Sequence, residues 1–222
     1  MINCEITYLE IAPLSDPALF AWWLSRMPKS RREKVSSLRH AESQRLSLGV
    51  GILLYLALKK QGVDGGDVEI RATEYGQPYL PAHPEIHFSL SHCAPWAMCA
   101  LGPVPLGCDV ERVARGNEKI ANRFYHPAEQ AYLASIPSGE EWDRAFAEIW
   151  TRKESYLKAT GQGLSLGMDS FQTIAPQEGV WYEGQRLLGE CAAACCAFSE
   201  NRPHFTRKQV LLGEDGKTVE KA

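Results

Sequence analysis

The chain has 222 residues, 45% of them apolar and 23% charged, with a formal charge of −3. That composition excludes disorder of the chain as a whole, and the small negative charge excludes the global basic field that favours nucleic acid. Its seven cysteines contain no Cys-x-x-Cys pair and have no nearby histidine to complete a zinc set. Most of them therefore read as small buried core residues in a reducing compartment.

The first ten residues include Glu5 and Glu10 and lack the charged-then-apolar pattern of a signal segment, which points to the cytoplasm. A strand is expected over Cys4–Leu9, then a helix from Asp16 or Pro17 with Phe20, Trp23 and Leu24 on its apolar side. Between Arg26 and Arg39 stand Arg26, Lys29, Arg31, Arg32, Lys34 and Arg39, opposed only by Glu33. Two readings of this segment are open: a solvated basic helix face, or an anion site. Ala41–Lys60 reads as a long helix ended by Gly62. Its apolar run, Leu48–Leu58, is about half a membrane span and is interrupted by Gly49 and Gly51, so it predicts a buried helix and no membrane segment.

Glu74–Pro78 has turn chemistry, Ile86–His92 alternates as a strand does, and Trp96–Leu101 is a second apolar strand after a turn at Ala94-Pro95. Pro103 and Pro105 mark either a join between halves, 1–104 and 105–222, or an ordinary loop. Leu106–Val110 is a further buried strand. Helices are expected near Glu118, from Pro127 to Ser135, and from Trp142 to about Ala159, the last ended by Gly161. Phe171–Val210 suggests antiparallel strands at Gly179–Tyr182, Cys191–Phe198 and Gln209–Leu211, and the polar tail from Glu214 is expected to fray. Helices and hairpins mixed in this way define an α+β protein.

Three patterns bear chemistry. Asp109 and Glu111 lie two apart on a strand, so both carboxylates leave the same face and repel unless a cation separates them. Oxygen donors favour Mg²⁺, which takes its remaining ligands from water and phosphate, although Asp-x-Glu is also an ordinary surface pattern. In Trp150–Lys158, Glu154 and Lys158 share a helix face, either as a surface ion pair or as a third carboxylate beside a phosphate-binding lysine. Ser89, Ser91 and His92 sit at a strand end, where hydroxyl and imidazole groups can hydrogen-bond an anion or be merely structural.

Order and spacing say more than any one pattern. Gly76-Gln77-Pro78, then Phe88-Ser89-Leu90-Ser91-His92, then Gly107-Cys108-Asp109-Val110-Glu111, then Trp150-Thr151-Arg152-Lys153-Glu154-Ser155-Tyr156-Leu157-Lys158 resemble the 4'-phosphopantetheinyl transferase family, in its long, Sfp type. The resemblance extends to Arg31-Arg32-Glu33-Lys34, Arg45 and Gly161–Leu166, covering about residues 25 to 172. It implies two similar α/β halves about a pseudo-twofold axis, joined near residues 103–106, with coenzyme A in the cleft between them. It also implies a monomer that moves the phosphopantetheine arm onto a serine of an apo acyl or peptidyl carrier protein and releases adenosine 3',5'-bisphosphate. Asp109, Glu111 and Glu154 would hold Mg²⁺ against the pyrophosphate, and Lys158 would contact the phosphates. Arg31, Lys34, Ser91 and His92 would hold the nucleotide end, and Glu129 falls where the family carries an acidic residue near the metal water. Catalysis would rest on Asp109, Glu154 and Lys158, with Glu154 as the base for the serine proton. The chain departs from the family pattern at Gln77, where Lys is usual, and at Arg31, where Lys is frequent. A carrier-binding paralogue without activity and a magnesium-dependent nucleotide phosphohydrolase are the competing expectations.

Overall fold

The computed structural model describes residues 1–187, 190–213 and 218–221. Strand β1 (Asn3–Glu10) leads through a short 3-10 turn into α1 (Pro17–Leu24), α2 (Lys29–Ser37) and α3 (Ala41–Lys60). Next come the two-residue strands β2 (Arg71–Ala72) and β3 (Pro78–Tyr79), then β4 (His87–Cys93), β5 (Trp96–Gly102) and β6 (Leu106–Arg112). Helices α4 (Glu118–Phe124), α5 (Pro127–Ala134) and α6 (Glu140–Thr160) precede β7 (Val180–Leu187), β8 (Cys191–Phe198), β9 (His204–Leu212) and β10 (Thr218–Lys221). The α+β expectation holds.

Helix starts follow local chemistry. The Asp16 carboxylate accepts from Leu19 N at 2.8 Å ahead of Pro17, and Asn117 caps α4 in the same way. At α5, His126 and Glu129 cap each other's backbone donors reciprocally. Helix α6 begins with Glu140, Glu141 and Asp143, ends with Lys158 in its last turn, and stops at Gly161 with φ +68°. That charge order suits the helix dipole, and the left-handed stop suits glycine.

One sheet has the order β10-β9-β1-β5-β4 and the other β6-β8-β7. The strand period of two sorts side chains between the layers. Leu9, Ala97, Cys99 and Leu101 face α3, whereas Cys4, Ile6, Tyr8, Trp96, Met98 and Ala100 meet Leu106, Cys108, Val110, Cys195 and Ala197 of the second sheet. The glycines in α3 do not interrupt it. A Cβ on Gly49 would lie 3.0 Å from Ala97 Cβ, and one on Gly51 would lie 3.1 Å from Arg31 Cγ, so their smallness seats the helix on the sheet and α2 on the helix.

Two details depart from the sequence reading. Strand β9 does not extend an antiparallel run but pairs in parallel with β1. Both edges of β8 are already taken by β6 and β7, so the chain after Phe198 crosses to the free edge of β1. Residues from the second half of the chain thereby complete the sheet of the first. The polar tail does not fray over 218–221, where β10 pairs with β9. Its charges are those of an edge strand, with Glu220 joined to Lys60 and Lys208 and both lysines to Glu5. Residues 214–217 and 222 of the expected tail lie outside the described residues.

Helix α6 packs on the second sheet at Gly107. A Cβ there would run into the Ser155 carbonyl and the Ala159 backbone nitrogen. We expect Gly107→Ala to lower stability by about 3 kcal/mol, the upper end for overpacking, because backbone cannot step aside as a side chain can. Urea denaturation measures it; a loss under about 1 kcal/mol would show that α6 can lift off β6 at little cost.

Candidate active site

With Leu106, Cys108 and Val110 committed to the layer between the sheets, Gly107, Asp109 and Glu111 must face α6. Glu154 and Lys158, one helical turn apart, come down onto that face. Lys158 does not pair with Glu154 as the surface reading has it. Its Nζ donates to Asp109 Oδ1 at 2.7 Å, to Cys108 O at 3.1 Å and to Ser91 Oγ at 3.3 Å. Asp109 is only 4% exposed.

Strands β4 and β6 adjoin at the sheet edges through hydroxyl groups. Cys108 N donates to Ser89 Oγ at 3.0 Å, and Val110 N donates to Ser91 Oγ at 3.3 Å. Ser91 in turn donates to Asp109 Oδ1 at 2.8 Å. Ser91 is thus joined to the Asp109–Lys158 pair, and Ser89 shares the seam, a role that no sequence pattern separates from that of an ordinary strand serine.

Charge is concentrated here. Burial, and after it the charges of Asp109, Cys93 and Glu154, push the Glu111 carboxyl up to about 7. Burial and then Asp109 raise Glu154. Burial works against the Lys158 ammonium, but Asp109, Cys108 and Glu154 together outweigh it and the lysine is held above its ordinary range. His92 is held below the usual imidazole range by partial enclosure, with Lys158, Lys34 and Arg31 adding their positive fields. These basic groups, far apart in sequence, therefore converge on His92.

Beside them opens a cavity of about 240 Å³ lined by Tyr75, Gln77, Phe88, Leu90, Glu154 and Lys158, among others. Gln77 reaches this cavity, but its side-chain nitrogen donates to Lys158 O at 2.9 Å and so ties the turn of 73–78 to the end of α6. The aromatic and aliphatic lining from Tyr75, Phe88 and Leu90 is absent from the sequence reading, because nothing in the pattern tells a lining side chain from a core one.

Glu129 is placed elsewhere. It is fully buried with Lys153 at 2.7 Å; Oε1 accepts from Thr173 N and Oγ1, and Oε2 also accepts from His126 N. Lys153 spends its other donors on Met168 O at 2.6 Å and Phe171 O at 2.7 Å. This pair pins the segment after α6 rather than joining the carboxylates. The signal was available: Lys153 follows Ala145 and Ile149 at intervals of four, in the buried phase of α6. Trp150 packs with Phe124, Tyr125 and Phe146 and fastens α6 to α4.

The donors suit a hard divalent cation. All are carboxylate oxygens, Asp109 Oδ2 is buried without a hydrogen-bond partner among the described residues, and the Asp109 charge raises both Glu111 and Glu154. They are not drawn to ligating distance, for among the described residues no group of three or more His, Cys, Asp or Glu side chains is close enough to hold a metal ion.

An α+β fold with an acidic face, a paired lysine at a cavity and further basic side chains converging on His92 suits a polyanionic, phosphate-bearing ligand. Comparison with known proteins makes this specific. The family model of the 4'-phosphopantetheinyl transferase superfamily matches residues 105–209. A 4'-phosphopantetheinyl transferase of Bacillus subtilis is 34% identical over 157 residues, 70% of each chain. The 4'-phosphopantetheinyl transferase Sfp of Bacillus subtilis strain 168 is 33% identical over 158 residues, 71% of this chain and 70% of its own. The 4'-phosphopantetheinyl transferase gsp of Aneurinibacillus migulanus is 27% identical over 208 residues, 88% of this chain and 86% of its own. The chain belongs to the 4'-phosphopantetheinyl transferase superfamily and is a transferase of that class.

Proposed function

We propose that the protein transfers the phosphopantetheine arm of coenzyme A to a serine of an apo acyl or peptidyl carrier protein, releasing adenosine 3',5'-bisphosphate. The observation that carries this reading is the Lys158–Asp109 pair at 2.7 Å, with Glu154 and Lys158 both lining the cavity and the charges of Lys158, Lys34 and Arg31 converging on His92. In this reading the cavity and its basic rim take the coenzyme between the chain halves 1–104 and 105–222. Arg31, Lys34 and His92 hold the nucleotide end, and Lys158 neutralises the pyrophosphate. Ser91 fixes Asp109 and Lys158 relative to one another, and Gln77 holds the turn of 73–78 against α6.

Asp109, Glu111 and Glu154 would hold Mg²⁺, which supplies neutralisation of charge on the phosphate oxygens and orientation of the leaving group. Of these carboxylates only Glu154 lines the cavity, so it is the one positioned to take the serine proton, directly or through water. The rest is positioning, since phosphoryl transfer asks little covalent chemistry of the protein. The protein is read as a cytoplasmic monomer. No helix among the described residues is long and apolar enough to cross a membrane.

Incubation with coenzyme A, Mg²⁺ and a panel of apo acyl and peptidyl carriers tests the reading by intact mass. A carrier that gains one phosphopantetheine group supports it. Phosphopantetheine freed into solution with no carrier modified would favour a phosphohydrolase, and neither product would leave a binder. We further expect Arg31→Ala and Lys34→Ala each to raise KM for coenzyme A about tenfold, the worth of one charge-assisted contact, and to raise it less for 3'-dephospho-coenzyme A. Equal losses with both substrates would show that these side chains do not read the 3'-phosphate.

A further inference from the structure

Two cysteines lie where the sheets adjoin. Cys93 ends β4 and Cys191 begins β8. Arg112 links them: it is the Cα partner of Cys191 on the β6–β8 ladder, and its Nη2 donates at 2.9 Å to the carbonyl of Ala94, the residue after Cys93. Both cysteines belong to the apolar layer between the sheets, Cys191 as a fully buried member and Cys93 half-buried against it. Cys93 follows Ser89 and Ser91 in the phase of β4 that meets Cys108 N and Val110 N of β6, and Cys191 stands opposite Arg112 on the same strand, so the two thiols approach one end of β6 from its two sides. The thiols of Cys99 and Cys108 instead donate to the carbonyls of Ala100 and Ser89. The reaction proposed above uses neither Cys93 nor Cys191.

We propose that Cys93 and Cys191 form a redox-active dithiol that a low-molecular-weight disulfide oxidises to an intramolecular disulfide. The Cys93 thiolate attacks one sulfur of the small disulfide, forms a mixed disulfide and expels one small thiolate. Cys191 then loses its proton and attacks the Cys93 sulfur, expelling the second small thiolate. Two protein thiols are oxidised, one small disulfide is reduced, and the two protons leave on the two small thiols.

Access assigns the roles. Cys93 is the half-buried sulfur, and Cys191 lies behind it where a small disulfide cannot reach. Electrostatics agree: the neighbouring Cys191 and then Arg112 hold the Cys93 thiol below its ordinary range, against burial and the Asp109 charge, while Cys93 and burial push Cys191 up. The new bond ties the end of β4, which carries Ser91 and His92, to a strand of the other sheet, and reduction releases it.

Glutathione disulfide is the probe. The folded protein is incubated with it near neutral pH, quenched with acid, alkylated and digested without reductant for mass spectrometry. The wild type should yield a Cys93–Cys191 linked peptide that dithiothreitol removes. Cys191→Ala should stop at a stable glutathione adduct on Cys93, and Cys93→Ser should give neither product. In the reduced protein, iodoacetamide should label Cys93 about tenfold faster than the buried cysteines, a measurement that needs no variant to fold. The proposal is overturned if the wild type forms no such link in excess glutathione disulfide, if Cys93→Ser is glutathionylated as readily, or if Cys93 labels no faster than the others.

Discussion

Lys153→Met should lower stability by about 3–5 kcal/mol, the usual loss when one member of a buried ion pair is removed. Lys153 and Glu129 are both 0% exposed, and every donor of the lysine is in use. The substitution leaves a carboxylate without its counter-charge and the carbonyls of Met168 and Phe171 without a donor. For a chain of this length the melting temperature should fall by roughly 6–20 °C, which thermal denaturation followed by circular dichroism will show. Adding Glu129→Met should recover part of the loss but not all of it. The orphaned charge disappears, while His126 N and Thr173 N still lack the acceptor that Glu129 supplies. A single-variant loss under about 1 kcal/mol would mean that water reaches the pair.

The second large effect concerns rate rather than stability. Glu111→Ala should slow transfer to a carrier by at least about a hundredfold, the scale on which one electrostatic group acts in a reaction of this kind. Among the described residues the Glu111 side chain makes no hydrogen bond or ion pair, and its backbone pairing with Ala192 does not depend on it, so the variant should keep its fold and melting temperature. Asp109→Ala should lose as much rate but also stability, because Lys158 and Ser91 then lose the acceptor they share at 2.7 and 2.8 Å. The time course of carrier mass at saturating coenzyme A and Mg²⁺ separates the two cases. A folded Glu111→Ala enzyme with a near-normal rate would remove that carboxylate from the reaction.

The difference between these variants traces what could be read before any coordinates. The strand period alone put Asp109 and Glu111 on one face, and the helix period put Glu154 and Lys158 on another. Caps and stops were local as well: Asp16 and Pro17 begin α1, Gly161 ends α6, and the bounds of α3 agree with its apolar pattern. Such features depend on residues within a few positions of one another. The resemblance of four short blocks, in order and spacing, extended that reading to the family.

Tertiary structure decided everything that depends on which surfaces are already occupied. Both edges of β8 are taken, and only that fact sends β9 to β1 and gives the polar residues 218–221 a strand to join. Lys158 chooses Asp109 over Glu154, and Gln77 turns its amide to the end of α6, because packing at Gly107 brings the helix onto β6. Cys93 and Cys191, almost a hundred positions apart in the chain, become neighbours only when the sheet edges adjoin. Periodicity says which way a side chain points along its own element; it carries no term for what stands opposite, and that partner sets the charge state and the chemistry.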